Sequence, residues 1–352
     1  MKNIKKILII RCGALGDLVY STSVLDALKF EFGEDIIIDY VSTPAASKLF
    51  EYDKRVNKIF HLKHKKIPII FSSQKKAVIN YSKKEPYDIL INFEMGKQFK
   101  SLVEKIVANK KVGWFCEDIK ITKTHMVEIC KEFYSSIISK ENLDKSFPKV
   151  FGSPYNEIKN KFSLPNDYII VSPSNSHNKK KRLNYRAWPH ENWKEFLNLV
   201  PKDTNIILIG AKGEEDFFEP LKPYNRNIID LVGKITISEM VSVVEKSKAL
   251  IVTDTGTAHI ASAVNTAVFC LIGPTPAEQT GPYKTPFNEV YIISAGLSCS
   301  PCYKTDVMKA CKDNICMKNI KASKVLDLLK KEKINQIEYL TRKRRKKLET
   351  RK

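Results

Sequence analysis

Ile7-Leu8-Ile9-Ile10-Arg11-Cys12-Gly13-Ala14-Leu15-Gly16-Asp17, followed by an amphipathic stretch over 18–30, is the segment on which the fold turns. Four aliphatic residues in a row suit a strand buried on both faces. The glycines suit a tight turn, and the apolar positions beyond them recur at helical period. A strand, a glycine turn and a helix make one βα unit, and the unit repeats. Short apolar strands are predicted over 36–41, 88–92 and 111–114, separated by Lys-rich segments of helical spacing. Beyond residue 167 the pattern restarts with strands over 168–172, 206–210, 249–253 and 267–272. A helix from about Glu191 carries Trp193, Phe196, Leu197 and Val200 on one face. Another opens with Thr236 and Glu239, the spacing of a capping box. Such alternation predicts an α/β chain with mostly parallel sheets.

The stretch between 147 and 167 breaks the pattern with Pro148, Gly152, Pro154 and Pro165, and it is read as a domain boundary. The expected organisation is 1–160 as one Rossmann-like domain and 161–335 as a second, followed by a basic tail over 336–352. The two doubly wound domains face a central cleft. A length of 352 residues accommodates two cores. The 43% hydrophobic and 28% charged fractions are ordinary for globular chains. No apolar run reaches the roughly 18 residues of a membrane span. The first apolar run is stopped by Arg11, short of a secretory signal, so a cytoplasmic protein is expected.

A net charge of +21 is concentrated partly in Arg342-Lys343-Arg344-Arg345-Lys346-Lys347. That run suits peripheral contact with an anionic membrane surface, and equally a solvated tail. Nucleic acid would attract it too, but the basic residues are not interleaved with stacking aromatics and no reader motif is present, so none is expected as a partner.

Three strand-to-helix turns carry the chemistry. The first holds Gly13, Gly16 and Asp17; its spacing is not the G-x-G-x-x-G of dinucleotide binding. Asp17 is either a helix-start cap or a general base beside the positive end of a helix. The second runs from Ser172 through Ser174, Ser176, Lys181 and Arg182 to Arg186. Hydroxyls and cations in one loop suit a diphosphate, which wants several donors at once. The third, Asp254-Thr255-Gly256-Thr257-Ala258-His259, places two hydroxyls and a glycine at a helix start, an anion-binding arrangement that His259 can reach. Glu214, just past a strand, suits ribose hydroxyls.

Together these segments resemble glycosyltransferase family 9, the heptosyltransferases of lipopolysaccharide core assembly. The resemblance rests on Gly13-Ala14-Leu15-Gly16-Asp17, Trp188-Pro189-His190-Glu191-Asn192-Trp193, Asp254 to Ala261, and Leu271-Ile272-Gly273-Pro274-Thr275, in that order. It implies a GT-B fold with an N-terminal acceptor domain and a C-terminal donor domain. It also implies an inverting, metal-independent transfer without cofactor, from ADP-heptose onto a lipid-linked acidic inner-core acceptor. Asp17 falls at the family's catalytic base, with Gly13 and Gly16 in the acceptor loop. Arg186 falls near the donor-phosphate cation, with Lys181 and Arg182 competing for that role. Glu214 falls at the ribose acid, and Asp254, Thr255 and Gly256 at the diphosphate turn with His259 beside the sugar. The chain departs from the family at Pro173-Ser174-Asn175-Ser176 and at Thr257-Ala258, both in the donor site, which leaves another nucleotide sugar open as donor.

Two features stand apart. Cys299, Cys302, Cys311 and Cys316 have a spacing that tetrahedral zinc can use, but packed free thiols are expected in a reducing compartment. The basic stretch His61-Leu62-Lys63-His64-Lys65-Lys66 is either an acceptor contact or a solvated turn.

Overall fold

The computed structural model describes residues 4–63, 72–175 and 183–332. Ser176, Lys181, Arg182, His64 to Lys66 and the tail over 336–352 therefore lie outside the described residues.

Two parallel sheets form the frame. The first contains β1 (Lys6–Ile10), β2 (Ile37–Ser42), β3 (Lys58–His61), β4 (Tyr87–Asn92) and β5 (Ala108–Gly113), in the order β3-β2-β1-β4-β5. The second contains β6 (Ile169–Ser172), β7 (Ile206–Leu208), β8 (Ile228–Asp230), β9 (Ala249–Thr253), β10 (Ala267–Leu271) and β11 (Val290–Ile293), in the order β11-β10-β9-β6-β7-β8. Register is set by aliphatic pairs such as Ile7 with Ile38 and Ile89, and Ile170 with Leu250. All four residues of the Ile7–Ile10 run are fully buried, as a central parallel strand covered on both faces requires. Among the described residues no helix is long and apolar enough to cross a membrane.

In each sheet the winding direction reverses once, between β1 and β4 and between β6 and β9. Crevices at such reversals, beyond the strands' carboxyl ends, are where doubly wound sheets bind ligands. The segments that follow β1, β4, β6 and β9 carry Asp17, Glu94, Ser174 and Asp254, so topology alone gathers the site.

Several boundaries differ from the sequence reading. The helix expected over 18–30 is two helices, Leu15–Ser21 and Ser23–Phe32. Thr22 and Ser21 divide it, because their hydroxyls bond back to Val19 O at 2.7 Å and Leu18 O at 2.8 Å. The early start places Asp17 in the first turn of the helix, with Ala14 as the capping residue. The proline-bearing stretch 147–167 holds the helix Tyr155–Phe162, opened by Pro154. β3, β8 and β11 were not anticipated, and His61 ends β3 rather than opening a loop. The Thr236–Glu239 capping box forms as read, with both reciprocal bonds in place.

The two units meet helix to helix. Leu15–Ser21 packs on Gly256–Ala263, and one apolar cluster runs through Leu18 and Val19 on one side to Ala258 and Ile260 on the other. At its edge Ser238 donates to Glu51 Oε2 at 2.8 Å.

Candidate active site

A cavity of about 840 Å³ lies between the units. Gly16, Asp17, Ser174, Arg186, Glu214, Asp254, Thr255, Gly256 and His259 all line it. Residues up to 243 positions apart in sequence, Asp17 and His259 among them, thus share one space. Gly13 is a near neighbour instead of a lining residue. A β-carbon there would sit 2.7 Å from the Asp17 carboxylate, so Gly13 makes room for that side chain. Gly16 makes room for a partner across the interface: its β-carbon would fall 2.5 Å from His259 Cδ2. Each of the two glycines thus clears space for a neighbouring side chain.

Asp17 Oδ2 accepts from the Ala14 N–H at 3.1 Å, and Oδ1 faces Arg11 Nη2 at 3.4 Å. The Asp17 side chain remains 41% exposed, open to the cavity. Arg11 is buried, donates from Nη1 to Phe93 O at 2.9 Å, and stands 4.0 Å from Glu94 Oε1. Glu94 in turn accepts from the Cys12 N–H at 2.6 Å. Sequence reasoning missed this carboxylate–guanidinium–carboxylate row. The signal was available: Glu94 follows β4 by two residues at the sheet's reversal point.

The opposite wall is cationic and hydroxylic. Arg186 Nη1 lies 3.3 Å from Asp254 Oδ2 and 3.4 Å from Asp254 O. Its guanidinium stacks on Tyr303 at 4.7 Å. Glu214 is buried and uses Oε2 twice, accepting from the Ser174 hydroxyl at 2.6 Å and from the Ala211 N–H at 3.0 Å. Ser174 thus orients Glu214 as well as lining the cavity. Thr255 Oγ1, Arg186 Nε and His259 Nδ1 are buried without a hydrogen-bond partner among the described residues. Buried polar groups left unpaired cost roughly 1–3 kcal/mol each, so a polar ligand that pairs them gains binding energy.

His259 does not bring charge to this wall. Burial pushes its pKa down to about 4, with the neighbouring carboxylates of Asp254 and Asp17 only partly offsetting that. It is a neutral imidazole at pH 7. Its Nε2 meets the Tyr20 hydroxyl at 3.1 Å, and that hydroxyl also lies 2.6 Å from Thr280 O. Beside this, His125 Nε2 contacts Gly281 O at 3.1 Å and the Tyr283 hydroxyl donates to Glu128. Tyr20, His125 and Tyr303 carried no sequence signal, since each acts on partners more than 100 residues away.

A second recess of about 630 Å³, walled by Ile272, Pro276, Pro282, Tyr283 and Ile292, contains none of the predicted site residues. The four late cysteines are free, and among the described residues no three His, Cys, Asp or Glu side chains converge on a metal-sized space.

Similarity to known proteins agrees with this geometry. The family model described as glycosyltransferase family 9 (heptosyltransferase) matches residues 84–312, well over half of the chain. Lipooligosaccharide heptosyltransferase 2 of Campylobacter jejuni is 24% identical over 327 residues, covering 90% of this chain and 96% of that protein. A glycosyl transferase family 9 structure from Veillonella parvula superposes with a TM-score of 0.78 at 15% identity, covering 95% of this chain and 99% of that one. The ADP-heptose lipopolysaccharide heptosyltransferase II of E. coli superposes with a TM-score of 0.72 at 18% identity, covering 94% and 99%. The two facing parallel sheets are the GT-B arrangement. With its cleft, its turns and this match, the chain belongs to glycosyltransferase family 9 and is a glycosyltransferase.

Proposed function

We propose that the protein transfers a heptose from ADP-heptose to the inner core of lipopolysaccharide, with inversion at the anomeric carbon. One observation carries this reading: a single cavity holds Asp17 on one wall and the Arg186–Asp254 turn with Glu214 on the other. Residues 1–160 bind the acceptor and 161–335 the donor. The names of the relatives supply heptose and the lipopolysaccharide acceptor.

The chemistry follows from the placement. Asp17, aligned by the Ala14 N–H and Arg11, takes the proton from an acceptor hydroxyl as its oxygen attacks the anomeric carbon. The carbon–oxygen bond to the diphosphate breaks on the opposite face, which inverts the centre. Charge that develops on the departing diphosphate is met by Arg186 and by the free N–H groups opening the helix Gly256–Ala263. Glu214 has one carboxylate oxygen bound by Ser174 and Ala211, which fixes the group for ribose hydroxyls. Residues so positioned need no metal to complete the transfer. The reaction belongs at the cytoplasmic face of the inner membrane, where the cationic residues of 336–352 meet anionic lipid.

Calorimetry with ADP-heptose, UDP- and GDP-sugars, followed by transfer to a Kdo-terminated acceptor, tests the reading. Selective ADP-heptose binding and transfer support it. Binding of another nucleotide sugar with no response to ADP-heptose overturns the donor.

A further inference from the structure

Tyr20 lies one helical turn beyond Asp17 on Leu15–Ser21, and its ring crosses to the other unit. It packs on the His259 ring with centroids 4.6 Å apart and meets His125 edge-on at 5.8 Å. Its hydroxyl makes two contacts, 2.6 Å to Thr280 O and 3.1 Å to His259 Nε2. A phenol has one proton to give. Thr280 O is a carbonyl and can only accept, and its contact is the shorter, so the phenol proton points there. The 3.1 Å contact then needs its proton from the imidazole. Burial and the nearby charges of Asp254 and Asp17 keep the phenol protonated, so the direction of the chain is fixed.

The consequence falls on the other ring nitrogen. A neutral imidazole that carries its proton on Nε2 has a bare lone pair on Nδ1. Nδ1 is buried and finds no donor among the described residues, while its ring lines the cavity beside the Asp254 turn. A second proton is disfavoured by the same burial.

We propose that Tyr20 is a positioning residue: it holds His259 in the Nε2–H tautomer and so presents Nδ1 as an acceptor to a hydroxyl of the bound donor sugar. The sugar half of this rests on the nucleotide-sugar reading above. Through the same hydroxyl, Tyr20 fixes the helix carrying Asp17 against the helix that follows the diphosphate turn. Base and donor are thereby registered by one side chain that need touch neither.

The test is side-chain nitrogen NMR on the full, ¹⁵N-labelled chain at pH 7, with His259→Asn used to assign the His259 signals. Wild type is expected to show His259 with Nε2 protonated and Nδ1 unprotonated. Tyr20→Phe keeps the ring but removes the acceptor, and the two nitrogen signals are expected to move together toward a tautomer mixture. The same variant is expected to lower kcat for transfer about tenfold while the donor Kd changes less. Because Tyr20 acts through His259, Tyr20→Phe/His259→Asn is expected to be no slower than His259→Asn alone. An Nδ1–H tautomer in wild type, or losses that multiply in the double variant, overturns the proposal even if Tyr20→Phe itself folds poorly. Failure of wild type to bind any nucleotide sugar, with the Nε2–H tautomer intact, instead overturns the donor reading.

Discussion

Replacing Gly16 by alanine puts one methyl group between the two units. The new β-carbon would lie 2.5 Å from His259 Cδ2 and 3.1 Å from Nε2, where ordinary contact begins at 3.4 Å. The helix Leu15–Ser21 and the imidazole must therefore separate by about 1 Å. His259 cannot simply swing away, because its ring is buried and tied to Tyr20. Overpacking of this kind costs about 1–3 kcal/mol, and with both sides held we place it in the upper half of that range. Alanine in place of a helical glycine returns roughly 1 kcal/mol in helix propensity. The net loss is then about 1–2 kcal/mol, seen as a lower urea midpoint with unchanged slope. Activity should suffer more than stability, since the displaced ring and helix carry the proposed donor contact and the proposed base Asp17; a fall in kcat of tenfold or more is expected. Gly16→Ala with wild-type stability and wild-type kcat would show that the two helices do not meet at Gly16 and His259.

Other outcomes follow from the same geometry. His259 stays neutral in the folded chain down to about pH 4, whereas the unfolded chain takes up a proton near 6.5. Between those values the unfolded state binds more protons, so stability present above 6.5 is lost as the pH falls, by about 3 kcal/mol at most. Urea titrations from pH 7 to 4 should show a shallower decline in His259→Asn than in wild type; His125, also shifted down by burial, leaves a residual slope. Arg11→Met leaves Glu94 buried without its cation and should cost about 3 kcal/mol or more, with part regained in Arg11→Met/Glu94→Gln, measured by chemical unfolding. Arg186→Lys loses the planar stack on Tyr303 and the forked donor set, and calorimetry should find ADP binding weakened about tenfold, roughly 1.4 kcal/mol.

The βα frame was legible because the central strands are buried on both faces, and a run such as Ile7–Ile10 admits few other readings. Edge strands were not: β3 and β8 are only partly buried, and Lys58 and His61 give β3 no apolar signature. The break at Thr22 was written in Ser21-Thr22, whose hydroxyls compete for backbone carbonyls, but helical periodicity carried the reading past it. Pro154, read as part of the domain boundary, also opens the helix Tyr155–Phe162, which the sequence reading did not place there. The segments after β1, β6, β7 and β9 supplied the nine predicted residues that line the cavity. Glu94 was marked only by its place two residues past β4, while nothing local marks Tyr20 and Tyr303; Tyr20 gains its meaning only when Thr280, 260 positions away, comes within reach. Gly13 and Gly16 were seen, yet Gly16 makes room for His259, which only the fold brings near.

In the proposed mechanism Asp17 acts as base on a donor held by the opposite wall. Transfer from ADP-heptose to a Kdo-terminated acceptor, compared between wild type and Asp17→Asn with donor affinity measured in parallel, tests it most directly. In the variant kcat is expected to fall by about 10²–10⁴ while ADP-heptose affinity stays within about threefold. Undiminished kcat in Asp17→Asn, from a chain that still binds ADP-heptose, would contradict it.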